Sequence, residues 1–248
     1  MSEERWERLR VADDGTHHVD DAGRPAYGWR FEEVLSFHSP GLAPVRDGGR
    51  SFFISADGNE AHTRSFDLGF GYYEGLAAVK DSSGWYHIRD NGEPAYAGRW
   101  LWCGNFLGER CVVQDGDGRF QHIDPSGTKR TGPWSYAGDF REGAAAVRIA
   151  SGLWRHIRSD GSFLHERVYF DLDAFHKGFA RARDAHGWFH VDKRGREAYA
   201  QRYAHLEPFY NGVALARRND GAAVRVDPHG SETPIGSASD GEALSVRP

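Results

Sequence analysis

The sequence predicts an all-β chain, a propeller-like toroid built from seven units of about 34 residues each. Three observations carry that expectation. A phrase with a histidine inside a strand-like run, "GWYHIRDNG" from Gly84, returns as "RFQHIDPSG" from Arg119, "LWRHIRSDG" from Leu153, "GWFHVDKRG" from Gly187 and "GTHHVDDAG" from Gly15. Aligning on His18, His87, His122, His156 and His190, and filling the gaps with Phe53 and Arg225, gives steps of 35, 34, 35, 34, 34 and 35 residues. Composition agrees, because 31 glycines and a single methionine in 248 residues suit short strands and tight turns rather than helices.

Each unit reads as three or four short strands. Upstream of the histidine run lies an alternating apolar phrase, "GLAPV" at Gly41, "GLAAV" at Gly75, "GAAAV" at Gly143, "GFARA" at Gly178 and "GVALA" at Gly212, with "ERCVV" at Glu109 as a drifted copy. Such alternation marks strands with one buried face. Turns such as Asp90-Asn91-Gly92 and Ser159-Asp160-Gly161 supply the left-handed positions that hairpins need. A third phrase follows the histidine, as "AYGWRF" at Ala26, "AYAGRW" at Ala95 and "AYAQRY" at Ala198. The opening "RWERLRV" aligns with the strand that precedes the last histidine position, so the chain starts and stops inside a unit, which favours closure into a ring. A single repeat domain over residues 1–236 and a tail over 237–248 are expected.

The stretch "YYEGLAAVKDSSGWYHIRDNG" from Tyr72 resembles the WG-repeat family, and the resemblance runs from about residue 8 to 230. It implies a scaffold used in varied roles. The chain departs from that pattern at two places: the glycine after tryptophan is replaced by Tyr86, Arg155 or Phe189, and the family's tyrosine position holds histidine in five of seven copies.

Several classes are excluded. The formal net charge is −5 and no long basic run occurs, so nucleic acid is not an expected partner. No apolar stretch approaches bilayer length and the opening "MSEERWERLR" is charged, which argues for a cytoplasmic protein without membrane association. Cys103 and Cys111 are too few for a disulfide framework and lack zinc-site spacing. No GxSxG, HExxH, P-loop or dinucleotide fingerprint is present.

The repeated histidine is the candidate for chemistry. Side chains at i and i+2 of a strand share a face, and units related by rotation aim equivalent residues the same way about a common axis. If that direction is inward, His18, His87, His122, His156 and His190 converge as ligands for a transition metal, iron foremost, with copper, zinc or manganese also suited to imidazole. Such a centre would activate dioxygen as co-substrate and oxidise or hydroxylate a small molecule or peptide, with Phe53 and Arg225 lining the substrate pocket. The competing reading makes each histidine a hydrogen-bonding strut between strands and the chain a non-catalytic scaffold for a protein or peptide partner. Asp20, Asp124 and Asp192, two residues after their histidines, read as Asx-turn residues. His38 and His176 share a column that could form an auxiliary site, and Arg30, Arg99 and Arg202 suit stacking or pairing between units.

Overall fold

In the computed structural model, which describes residues 4–235, apolar alternation has become short antiparallel strands. The strands fall into two compact units, one ending at Asp139 and one beginning at Phe140. The first unit opens with a 3-10 turn over Arg5–Arg8, then β1 (Arg10–Val11), β2 (His18–Val19), β3 (Glu33–Val34), β4 (Ala43–Asp47), β5 (Arg50–Ile54), β6 (Leu68–Tyr73) and β7 (Leu76–Asp81). It continues through β8 (Gly84–Ile88), β9 (Trp102–Cys103), β10 (Cys111–Gln114), β11 (Phe120–Ile123), β12 (Lys129–Trp134) and β13 (Tyr136–Ala137). The second contains β14 (Ala145–Arg148), β15 (Trp154–Ile157), β16 (Asp171–Leu172), β17 (Phe179–Asp184), β18 (Gly187–Asp192), β19 (His205–Leu206), β20 (Ala214–Arg217), β21 (Ala223–Val226) and β22 (Glu232–Pro234). The expected tail over 237–248 lies outside the described residues.

One sheet pattern recurs. A leading strand pairs with the strand of the alternating apolar phrase, which pairs with the strand that carries the histidine or its replacement Phe53 or Arg225, as in β3-β4-β5, β6-β7-β8, β16-β17-β18 and the first three strands of β19-β20-β21-β22. Register is fixed by the alternation: His87 lies opposite Ala78, His122 opposite Val112, His156 opposite Ala146 and His18 opposite Val11, all alanine or valine, whereas His190 lies opposite Arg181. Apolar faces of successive sheets then close on one another. In the first unit Leu76, Ala78 and Trp85 of one sheet pack with Cys103, Cys111, Val113 and Ile123 of the next. In the second, Ala180, Ala182, Phe189 and Val191 share a core with Leu206, Ala214, Ala216 and Val224.

The turn glycines do more than reverse the chain. Gly127 has φ +77°, which non-glycine residues adopt at a cost, and a Cβ there would stand 2.6 Å from Cγ of Tyr96, a residue of the preceding repeat. Gly195 of the second unit, at φ +73°, holds the His165 ring in the same way. The bare backbone is therefore the floor on which the neighbouring repeat's ring rests.

Gly127→Ala is expected to lower stability by about 2–4 kcal/mol, combining left-handed strain with a clash against a ring root that cannot swing away. Gly118→Ala, at φ +76° with only Gln114 Nε2 at 3.8 Å, should lose about 1 kcal/mol. Urea-unfolding midpoints separate the two, and equal losses would show that the ring contact contributes nothing.

Candidate functional site

The five repeated histidines are among the most deeply buried polar side chains of the described residues, four at 0% relative exposure and His190 at 1%. Four sit in the third strand of their sheets in chain order and His18 in the second strand of the β1–β2 pair, each with the side chain directed into the packing between repeats. There each one meets a backbone carbonyl, and four of the five also meet a hydroxyl.

On one side, Nε2 reaches the backbone carbonyl of the residue that directly follows the leading strand of the next repeat. The partners are Leu35 for His18 at 2.8 Å, Gly104 for His87 at 3.0 Å, Gly138 for His122 at 2.9 Å, Asp173 for His156 at 2.9 Å and Glu207 for His190 at 3.0 Å. A carbonyl only accepts, so Nε2 carries the proton and donates. Nδ1 is then the acceptor, and a hydroxyl nine residues on donates to it: Tyr27 to His18 at 2.6 Å, Tyr96 to His87 at 2.5 Å, Thr131 to His122 at 2.6 Å and Tyr199 to His190 at 2.5 Å. The imidazole face is covered as well, with ring centroids 4.4 Å from Phe37 for His18, 4.7 Å from Phe106 for His87, 4.2 Å from Phe175 for His156 and 3.9 Å from Phe209 for His190.

Burial sets the charge state. Desolvation pushes His87, His156 and His190 down from 6.5 to about 4, against the opposing pull of the accepting carbonyl, and it lowers His18 and His122 in the same direction. Tyr27 is raised to about 12 by the same cause, and Tyr96 and Tyr199 are raised too, so the hydroxyls stay protonated and able to donate.

In four of the five histidines, both nitrogens are committed inside the protein, and among the described residues no group of three or more His, Cys, Asp or Glu side chains could hold a metal ion. Phe53 is fully buried and replaces the histidine by packing against Phe66 and Tyr72, so it forms core rather than an open wall. Arg225 is exposed on β21 of the second unit, opposite Leu215 and Thr233. The two are thus a core residue of one unit and a surface residue of the other.

The remaining candidates take structural places. Asp20, Asp124 and Asp192 each accept two backbone N–H groups within four residues, the Asx geometry expected of them. The Arg99 and Arg202 guanidiniums lie 3.7 Å over the Tyr86 and Phe189 rings. His38 packs against Tyr73 in the first unit and His176 against Tyr210 in the second. Cys103 and Cys111 are free and buried, and burial raises both thiols.

Sequence reasoning missed the hydroxyl column, although Tyr27, Tyr96 and Tyr199 stand nine residues after their histidines within the third phrase. It also missed the exception. His156 is followed at that spacing by His165, whose ring centroid is 5.9 Å away, and His156 Nδ1, both His165 nitrogens and the Tyr169 hydroxyl are buried without a protein hydrogen-bond partner.

No protein-family model matches the chain, and no curated protein matches it. Among solved structures, the computationally designed protein Ika8 is similar at TM-score 0.50 and 13% identity, over 90% of this chain and 81% of that one. BamB from Moraxella catarrhalis is similar at TM-score 0.48 and 12% identity, covering 91% and 83%. Sqt1 from Saccharomyces cerevisiae follows at 0.46 and 13%, covering 88% and 75%. At 13% identity the likeness to Ika8 is one of backbone fold. No helix among the described residues is long and apolar enough to cross a membrane.

His165→Tyr is expected to give His156 Nδ1 the hydroxyl its counterparts have, over the Gly195 floor, and to raise stability by about 1 kcal/mol in urea unfolding. A loss of stability would contradict the strut geometry in that repeat. The depressed histidines also fix a pH dependence. An unfolded imidazole takes up a proton near pH 6.5, whereas His87, His156 and His190 resist it until about 4, so their stabilisation is whole above 6.5 and is lost as pH falls toward 4. Each is worth on the order of 3 kcal/mol over that window. Urea midpoints measured from pH 7 to 4.5 should fall steeply; a flat profile would count against buried neutral imidazoles.

Proposed function

We propose that the chain is a non-catalytic scaffold of WG-repeat type, whose seven repeats close into a propeller that binds a protein or peptide, with the repeated histidines as struts between neighbouring blades. The commitment of the imidazole nitrogens carries this reading. Ligation needs an unprotonated ring nitrogen facing the metal, yet Nε2 donates its proton to a carbonyl and the Nδ1 lone pair takes a hydroxyl proton in four of five repeats. Recruiting the set for an iron oxygenase would break two buried hydrogen bonds per ring and leave carbonyls and hydroxyls unpaired, at about 1–3 kcal/mol for each orphaned group. The nearly constant repeat step supports ring closure, because a unit that cannot bury both faces alone needs a neighbour on each side.

Surface composition fits a binding role. Trp29, Phe70, Trp102 and Tyr136 of the first unit and Phe170 and Tyr210 of the second stand more than two-fifths exposed, and aromatic side chains of this kind are enriched at protein interfaces.

Calorimetric titration of the purified protein with Fe(II), Cu(II) or Zn(II) tests the choice. The scaffold reading expects no stoichiometric site that depends on His87 or His122. One metal bound per chain, abolished in folded His87→Gln and His122→Gln variants, would overturn it and restore the metalloenzyme.

A further inference from the structure

Charge is divided unevenly along the chain. Residues 1–139 hold 15 Lys and Arg against 22 Asp and Glu, whereas residues 140–248 hold 16 against 14. The positive excess of the second part has a structural focus, one register position near the end of the middle strand in successive sheets, last in β14 and β20 and penultimate in β17.

That position is Arg148 in β14, Arg183 in β17 and Arg217 in β20, and all three side chains are exposed. They are repeat-equivalent, since each stands just before the hairpin into the histidine strand, opposite Trp154, Trp188 and Ala223 respectively. The backbone runs directly from row to row. Trp154 bridges Tyr169, the next residue Phe170 donates its N–H to the Arg183 carbonyl at 2.8 Å, Trp188 bridges Tyr203, and Ala204 donates to the Arg217 carbonyl at 2.9 Å. Apolar surface lies between the cations: Phe170 is 53% exposed, and the Trp188 ring is 5.6 Å from the Arg183 guanidinium.

None of the three guanidiniums forms a salt bridge among the described residues; Arg148 spends one N–H on the Gly152 carbonyl at 3.0 Å. The equivalent residue of the first unit behaves differently. Arg46 stands 3.8 Å from both Glu32 and Glu33, and the position otherwise holds Lys80 or the uncharged Gln114. Only in the second unit, then, does this register position repeat as an arginine in every sheet.

Unpaired guanidiniums spaced one per sheet, with aromatic surface between them, present bidentate donors for carboxylates and flat faces for apolar side chains. From this we infer that Arg148, Arg183 and Arg217 form a docking surface for an acidic, aromatic-containing segment of a partner protein. The inference rests on the scaffold reading and names its partner class. A peptide fits better than a polynucleotide, because Asp171 lies opposite Arg183 in the β16–β17 ladder and would oppose a continuous phosphate backbone, while a peptide can place its carboxylates at intervals.

Fluorescence anisotropy with a fluorescein-labelled peptide of alternating Glu and Tyr, at low and physiological salt, tests this on the full chain. Arg183→Gln combined with Arg217→Gln should weaken binding by about tenfold or more and flatten its salt dependence. The charge-matched pair Arg194→Gln and Arg225→Gln, outside the row, should change it by less than about twofold. Unchanged urea midpoints show that the variants fold. Absence of peptide binding by the parent, equal losses in both pairs, or tighter Arg183-dependent binding of single-stranded oligothymidine would each overturn the proposal. Those outcomes leave the strut reading standing, since the metal titration judges it separately.

Discussion

A neutral imidazole offers one donor and one acceptor on a rigid ring, and at four places in this chain that pair of valences fastens one repeat to the next, with His156 using its donor alone. Nε2 holds the carbonyl that ends the following repeat's leading strand, while Nδ1 takes a hydroxyl from its own repeat. A buried carbonyl just beyond a two-residue strand has little ladder to pair with, and leaving it unpaired would cost about 1–3 kcal/mol. The histidine supplies that missing donor. Because the ring is sandwiched by a phenylalanine 19 residues on, as Phe106 covers His87 and Phe209 covers His190, the polar tie and the apolar packing form at the same place.

Other features follow from that tie. The hydroxyl donor must approach Nδ1 from the turn side, which brings Tyr96 and Tyr199 over the next repeat's turn glycines, Gly127 and Gly230. At one of the two positions where the histidine is lost, apolar packing takes its place. Phe53 fills the space with apolar contact, and Tyr72 donates its hydroxyl to the Arg89 carbonyl at 3.0 Å. The repeat of His156 retains the carbonyl half alone, and its unpaired Nδ1 marks where the arrangement is weakest.

The repeat period, the strand order within each unit and the left-handed glycines were legible in the sequence, because alternation and turn chemistry act over a few neighbouring residues. Gly92 and Gly161, read as left-handed, stand at φ +79° and +84°. The five histidines were legible as a set, but their role was not. Their main partner is a backbone carbonyl, and Leu35, Gly104, Gly138, Asp173 and Glu207 share no side-chain chemistry by which a column could announce itself. The hydroxyl partner did leave a signal, a spacing of nine to Tyr27, Tyr96 and Tyr199, yet strand alternation alone accounts for those tyrosines equally well. Direction was the quantity out of reach: an imidazole aimed at a shared axis and one aimed at the next repeat have the same spacing.

The central claim is a tautomer and a pair of partners, and long-range nitrogen–proton correlation spectra of the histidine side chains read both. For His18, His87, His122 and His190 the account predicts the neutral form with its proton on Nε2, slow to exchange and unprotonated at Nδ1 at pH 6. It also predicts that the Tyr96→Phe variant perturbs Nδ1 of His87 alone among the five. Protons on Nδ1, titration near pH 6.5, or collective shifts of several rings when one metal ion per chain is added would contradict it.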